Sequence, residues 1–330
     1  MLNIILIYNS QLISKLLNII DYPNSPRKIH SKNTPLLGGV IIYANILFFF
    51  ICSFFFNINL INENIFFKDQ KQLFIFFISA TLIFSVGIYD DKNNLNPYIK
   101  FLLLLLIFFL LINFDNNINI EIIKFSFSNK EINLFNYSNF FTIFCFMLFL
   151  NACNMFDGIN LQLTSYMLLI LISFLYLIFY LDGFILFIIF PLLAIAILNA
   201  NGKIFLGDSG ALLISFISGY ITIRLYNLNY FKFSDSVFIF MMVPGFDMLR
   251  LFVERLFNKK NPFQADRNHI HHIILSVYSY KKTQIIIFLL LIFPILMFFL
   301  KLSNLFIIIL SLIFYLFILF FFRLKIKKQK

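Results

Sequence analysis

GIYDDKNNLNPYIKFLLLLLIFFLLINF, residues Gly87 to Phe114, decides the fold of this chain. Every residue from Phe101 to Ile112 is apolar. With its flanks the run reaches the roughly 17 to 25 residues that carry a helix across a hydrocarbon core of about 30 Å. Lipid offers the backbone no hydrogen-bond partner, so such a run must be helical. Similar runs recur along all 330 residues, which are 61% hydrophobic and only 12% charged. A soluble domain carries about a quarter charged residues, and that class is excluded.

Working outward from this stretch gives an all-α, polytopic transmembrane helical bundle in a single domain, 1–330. Eleven spans are expected, near 2–20, 37–57, 72–89, 98–114, 137–156, 163–181, 183–200, 210–226, 235–257, 284–300 and 303–322, with ten as the alternative count. The first segment lacks a basic front region and a small-residue cleavage site, so it is taken as a span and not as a signal peptide. Pro244-Gly245 predicts a break in the ninth span. Cys52, Cys145 and Cys153 stand singly in apolar runs and are expected as small core residues.

Loops after odd-numbered spans hold most of the Lys and Arg, including Arg27, Lys28, Arg267, Lys281 and the C-terminal tail; the opposite loops hold Lys68, Lys71, Lys124, Lys130, Lys232 and Lys301. By the positive-inside bias the richer side is cytoplasmic, which puts the N-terminus outside and the C-terminus inside. All four histidines, His30, His269, His271 and His272, fall on that side too, as do Asp90, Asp91, Asp157, Asp208, Asp247 and Asp266. Acids such as Glu63, Asp69, Glu121 and Glu131 lie in Asn-rich outer loops and read as solvated surface.

Asp90 and Asp91 end an apolar span, where two adjacent carboxylates repel and lose hydration, so a cation or metal-phosphate partner is expected; Lys100 follows at the next span. A polar turn with a snorkelling lysine is the alternative. In LNACNMFDGIN, Asn151, Asn154 and Asp157 recur every three residues and share one broad helix face, fit to line a polar cavity or to bond between helices. In GKIFLGDSGA, Asp208 opens a span beside Gly207, where it can face a close-approaching anion or cap the helix. DRNHIHH joins Arg267 to His269, His271 and His272, a donor-rich set better suited to a diphosphate than to zinc; upstream, Asp247, Arg250 and Glu254 have helical pairing distances. The first loop ends in Gly38-Gly39, a sign of tight packing.

These segments, in this order and on one side, resemble the polyprenyl-phosphate N-acetylhexosamine-1-phosphate transferases, glycosyltransferase family 4, over about residues 21 to 275. DRNHIHH is similar to the bacterial branch that begins O-antigen, enterobacterial common antigen or teichoic acid synthesis. The resemblance implies a multi-pass enzyme of the bacterial inner membrane, active on the cytoplasmic face. It would move a sugar 1-phosphate from UDP-N-acetylglucosamine or a related UDP-N-acetylhexosamine to undecaprenyl phosphate, releasing UMP. Mg²⁺ is the implied metal, with Mn²⁺ as substitute. The partners are these substrates and membrane lipid, with room for a homodimer and no nucleic acid.

By the same resemblance Asp208, Asn154 and Asp91 contact the metal, and Asp90, Asp91, Asp157 and His271 are catalytic, with Asp90 orienting or deprotonating the lipid phosphate. Lys100, Asn151, Arg267, His269 and His272 bind substrate phosphates or sugar, while Phe205 and Asn160 meet uracil. The family pattern DGxDGL reads DGINLQ here, with Asn160 at the second Asp. The alternatives are the peptidoglycan-branch phospho-N-acetylmuramoyl-pentapeptide transferase and, from another class, a transporter. A transporter would spread polar residues through both membrane halves, whereas here they gather at one face.

Overall fold

The computed structural model describes residues 2–23, 32–55, 65–128, 130–261 and 267–329. Arg27, Lys28, His30, Glu63 and Asp266 lie outside the described residues.

The helices are α1 (Leu2–Tyr8), α2 (Ser10–Leu17), α3 (Gly38–Phe55), α4 (Gln70–Asn93), α5 (Pro97–Phe114), α6 (Ser138–Phe156), α7 (Gln162–Ile178), α8 (Gly183–Ala200), α9 (Gly207–Asn227), α10 (Ser234–Phe257), α11 (Ile270–Leu275), α12 (Tyr280–Phe299) and α13 (Asn304–Gln329). Two short antiparallel ribbons join them. One is β1 (Ile20–Asp21) with β2 (Thr34–Pro35); the other is β3 (Ile122–Lys124) with β4 (Glu131–Asn133). Among the described residues nine helices are long and apolar enough to cross a membrane, and α7 is a shorter apolar tenth. The chain is therefore a multi-pass, all-α membrane protein.

Two expectations change. The segment 2–20 is not one span but two short helices, neither of crossing length. Asn45 Nδ2 donates to Asn3 Oδ1 at 2.6 Å, and β1 pairs with β2 just ahead of α3. Asn45 is only seven residues into α3, so α1 and α2 reach part of that helix's depth; among the described residues nine long apolar helices and the shorter α7 stand in place of the eleven expected spans. The run Tyr8-Asn9-Ser10-Gln11 is the cause, since a polar stretch cannot sit mid-span without partners. The ninth expected span is also unbroken, because α10 runs through Pro244. Proline cannot bond the carbonyl four residues back, and Tyr166 Oη donates to that Phe240 carbonyl at 2.8 Å instead.

α9 is the central helix: from Ser209 to Leu225 every residue is buried, and α3, α4, α6 and α7 pack on it. Its small residues permit that approach. A Cβ on Gly39 or Gly87 would strike the Ser209–Gly210 backbone, so the glycine pair at the head of α3 packs tightly as expected. Phe205 N donates to Pro35 O, Gly38 N to Phe205 O and Gly39 N to Leu206 O, at 2.9 to 3.1 Å. That ladder fixes the segment leading into α9.

Candidate active site

Four helix ends meet at the face that carries the basic loops, and local sequence sets each one. α4 stops at Asn94, whose left-handed conformation closes its last turn, and Asn96-Pro97 restart the chain as α5 with the Asn96 side chain capping Tyr98 N. This tight reversal sets Lys100 in the first turn of α5 against Asp90 in the last turn of α4, Nζ to Oδ2 2.6 Å. Gly207 opens α9 at φ +73°, and a side chain there would meet the Asp91 carboxylate at 2.9 Å. Only glycine meets both demands. Asp91 then accepts Asp208 N–H at 2.7 Å and Ser209 N–H at 3.1 Å, capping the helix from a neighbouring span.

Lys100 Nζ also contacts Asp208 Oδ1 at 2.9 Å and Asn154 Oδ1 at 3.3 Å, while Asn154 Nδ2 donates to Asp208 Oδ1 at 2.5 Å. Asp157, Asn154, Asp91, Asn160, Phe205, Asp208 and His272 line one cavity of about 540 Å³. Asp157 caps the end of α6, and burial together with Asp208 and Asp91 raises its carboxyl from 3.8 to about 7. Three carboxylates thus crowd one space, a strained arrangement that a cation relieves.

The histidine run is built on a second polar knot. Asp247 binds Arg250 Nη2 at 2.7 Å, His269 Nδ1 at 3.0 Å, Tyr315 Oη at 2.8 Å and Ile270 N at 3.2 Å; Arg250 continues to Glu254 at 3.0 Å. The expected helical pairs are therefore real, and they fix the N-terminus of α11. His271 is buried, its Nδ1 3.2 Å from Gln162 Nε2. The amide donates, so Nδ1 accepts and the proton sits on Nε2, which has no partner among the described residues. Burial, with His272 and His269 next, lowers its pKa well below 6.5 and keeps the ring neutral. The ring lies over Gly158, where a Cβ would collide with it.

Most of the expected residues converge. Asp91, Asn154, Asp157, Asn160, Phe205, Asp208 and His272 line the cavity, and Asp90 and Lys100 adjoin it through the ion pairs. His269 and His271 stack on one another beside His272, with ring centroids 5.2 and 4.3 Å apart along the run. Asn151 departs from the expectation: its amide donates to Met147 O of its own helix at 2.7 Å and the residue is not part of the cavity wall. Each of the two three-residue steps turns 300° and so drifts by a sixth of a turn, enough to turn Asn151 aside. Arg267 is exposed, two residues ahead of His269.

Other contributors were not foreseen. Asn199 Oδ1 accepts Leu161 N at 2.5 Å while its Nδ2 donates to Ile204 O at 3.0 Å, tying the Asp157–Leu161 loop to the Phe205 segment. Tyr280 Oη and Gln284 Nε2 both donate to Asn160 O, at 3.3 and 2.9 Å. Asp21 joins the wall. A polar residue closing an apolar run, as in LNANGK, is the signal that could have found Asn199.

A family-implied divalent ion fits the donors present. Among the described residues no three His, Cys, Asp or Glu side chains form a complete metal cage. Asp157, however, offers a carboxylate that has no side-chain hydrogen-bond partner among the described residues, and Asp208 Oδ2 is unused by Lys100 and Asn154. Mg²⁺ commonly takes one or two carboxylates and completes its shell with water and substrate phosphate.

Fold and site together define a multi-pass membrane protein with an acid- and histidine-lined pocket at one membrane face, suited to an anionic substrate carried with a cation. The particular likeness follows: residues 73–226 match the model of glycosyl transferase family 4. An Escherichia coli O157:H7 protein named undecaprenyl-phosphate alpha-N-acetylglucosaminyl 1-phosphate transferase is 26% identical over 277 residues, 80% of this chain and 71% of the relative. A Salmonella typhi protein of the same name is 26% identical, covering 82% and 73%. A Bacillus subtilis (strain 168) protein, named a probable undecaprenyl-phosphate N-acetylglucosaminyl 1-phosphate transferase, is 24% identical, covering 82% and 74%.

Proposed function

We propose that this protein transfers N-acetylglucosamine 1-phosphate, or a related N-acetylhexosamine 1-phosphate, from a UDP-sugar to undecaprenyl phosphate, releasing UMP and starting a cell-envelope polysaccharide. The observation that carries the reading is the junction of Asp157, Asp208, Lys100 and His272 around one cavity at the basic face, in a chain similar to transferases of that name. The bias of basic residues toward that face supports a cytoplasmic orientation, and the bacterial sources of the relatives support a bacterial inner membrane.

Asp157 and Asp208 would hold Mg²⁺ or Mn²⁺, with Asn154 steadying Asp208. Bound there, the ion would neutralise diphosphate charge. Lys100 lies between Asp90 and Asp208 and is placed to turn toward phosphate oxygens when substrate arrives. Asp90 accepts from Leu95 N at 2.7 Å as well as pairing with Lys100, so its work is to hold the lysine. The lipid phosphate needs no strong base, since a phosphate monoester loses its second proton near pH 6. Neutral His271, its free Nε2–H beside Gly158, can donate to a diphosphate oxygen without needing to lose a proton first. His269, aligned by Asp247, and His272 add further donors, with Arg267 at the mouth. Phe205 offers a face for uracil and Asn160 an amide.

The test is purified protein with undecaprenyl phosphate, Mg²⁺ and a panel of UDP-sugars, read as UMP release. Turnover with a UDP-N-acetylhexosamine is expected. A folded sample inert toward every donor overturns the reading.

A further inference from the structure

At the membrane face opposite the Asp157–Asp208 cavity lies a second opening of about 880 Å³, between the segment ahead of α4, the α5–β3 connection and the end of α9. Such a volume is typical of a ligand site. Four cations from distant parts of the sequence meet on its wall: Lys68, Lys124, Arg224 and Lys232. Among the described residues its one acid is Glu121. Lys124 is paired with Glu131 at 2.7 Å, which leaves three cations facing one carboxylate. The outer loops are poor in basic residues, so this convergence is not what topology alone requires.

Arg224 is the informative member. It is only 6% exposed, its Nε donates to Phe66 O at 2.9 Å and its Nη1 to Asn117 O at 3.2 Å. Neither bond uses Nη2. The neighbouring Asp115 is directed elsewhere, accepting from Gln72 Nε2, Tyr220 Oη and Asn117 N, and it does not line the cavity. A buried guanidinium held by two carbonyls keeps its full positive charge and is best satisfied by an anion. The wall is also firmly held: Asn227 Nδ2 donates to the carbonyls of Asn117 and Asn119, and Tyr226 Oη to Ile122 O, each at 2.8 to 2.9 Å.

We infer that this cavity binds a phosphate-class anion on the membrane face opposite the transferase cavity, with Arg224, Lys68 and Lys232 as its cationic contacts. A guanidinium beside ammonium groups matches a tetrahedral oxyanion. The same chemistry could be supplied by free phosphate or by the phosphodiester headgroup of a lipid. The inference does not rest on the reading of the other cavity.

The experiment uses the full chain in neutral detergent at constant ionic strength, titrated with inorganic phosphate or with short-chain phosphatidylglycerol, and diacylglycerol as the uncharged control. Melting temperature and native mass spectrometry are the readouts. Saturable stabilisation by phosphatidylglycerol alone identifies a headgroup, and by phosphate a free anion. In Lys68→Gln/Lys232→Gln the apparent affinity is expected to fall about fivefold, the size of two exposed charge pairs removed. Arg267→Gln, on the other face, should leave the stabilisation intact. Stabilisation that is equal in the double variant, is lost in Arg267→Gln instead, or is absent with both probes overturns the inference.

Discussion

Asp91 caps the helix that Asp208 opens: the Asp91 Oδ1 accepts the Asp208 N–H at 2.7 Å, joining residues 117 apart in sequence. One carboxylate thereby fixes the backbone from which another reaches the cavity. Asp91→Ala should cost about 1 kcal/mol of stability, the usual value of a lost cap, and should also reduce turnover by shifting Asp208. Asp208→Asn should abolish turnover at little cost in stability, because its amide still reaches Lys100 and Asn154. Detergent melting curves beside UMP release check the contrast. Equal melting temperatures for the two variants would contradict the capping role.

The contact between Gly158 and His271 gives a sharper test. Gly158→Ala forces a methyl group against the imidazole, an overpacking expected to cost roughly 1–3 kcal/mol. His271→Ala empties that space. The double variant should then be more stable than the sum of the single changes predicts, while remaining inactive because the Nε2–H donor is gone. Strict additivity in the melting data would show that the ring does not press on residue 158.

Apolar runs made the long helices legible, since a span must satisfy its own backbone and length alone betrays it. The chemical residues were legible for a related reason: Asp157, Asp208, Asn154 and Lys100 are costly in or beside lipid and so stand out against their neighbours. Partners were not legible. Asn199 holds Leu161, Gln162 meets His271 and Tyr315 meets Asp247, with separations of 38, 109 and 68 residues, and each looks locally like an ordinary polar residue at a helix end or within a span. The N-terminal segment misled because its composition was apolar enough while Asn9 and Ser10 split it into two short helices.

The Asp157 carboxyl, raised from 3.8 to about 7, sets a pH dependence. The folded protein holds a proton there that the unfolded chain gives up above about pH 4. This stabilisation is complete below that value and is lost as the pH rises through 7. Metal-free wild type should therefore lose melting temperature between about pH 5 and 8, and Asp157→Asn should lose less. Mg²⁺ should restore more stability at the upper end, where the carboxylate is ionised, and chelation should reverse the gain. Parallel slopes for the two proteins would rule out Asp157 as the titrating group.

Tyr166 supplies the last test, on the helix expected to break. Its hydroxyl takes the Phe240 carbonyl that Pro244 leaves without a donor, and both residues are buried. Tyr166→Phe removes one oxygen and keeps the ring, so packing is preserved while a buried carbonyl loses its bond. The cost should be about 1–3 kcal/mol. α10 also carries Asp247, one turn beyond Pro244, and through it the alignment of His269. A helix freed to kink at Pro244 would swing that end of the histidine run. Tyr166→Phe should consequently raise the KM for the UDP-sugar as well as lower the melting temperature. A variant that melts early with an unchanged KM would confine Tyr166 to a local bond and uncouple the proline turn from the site.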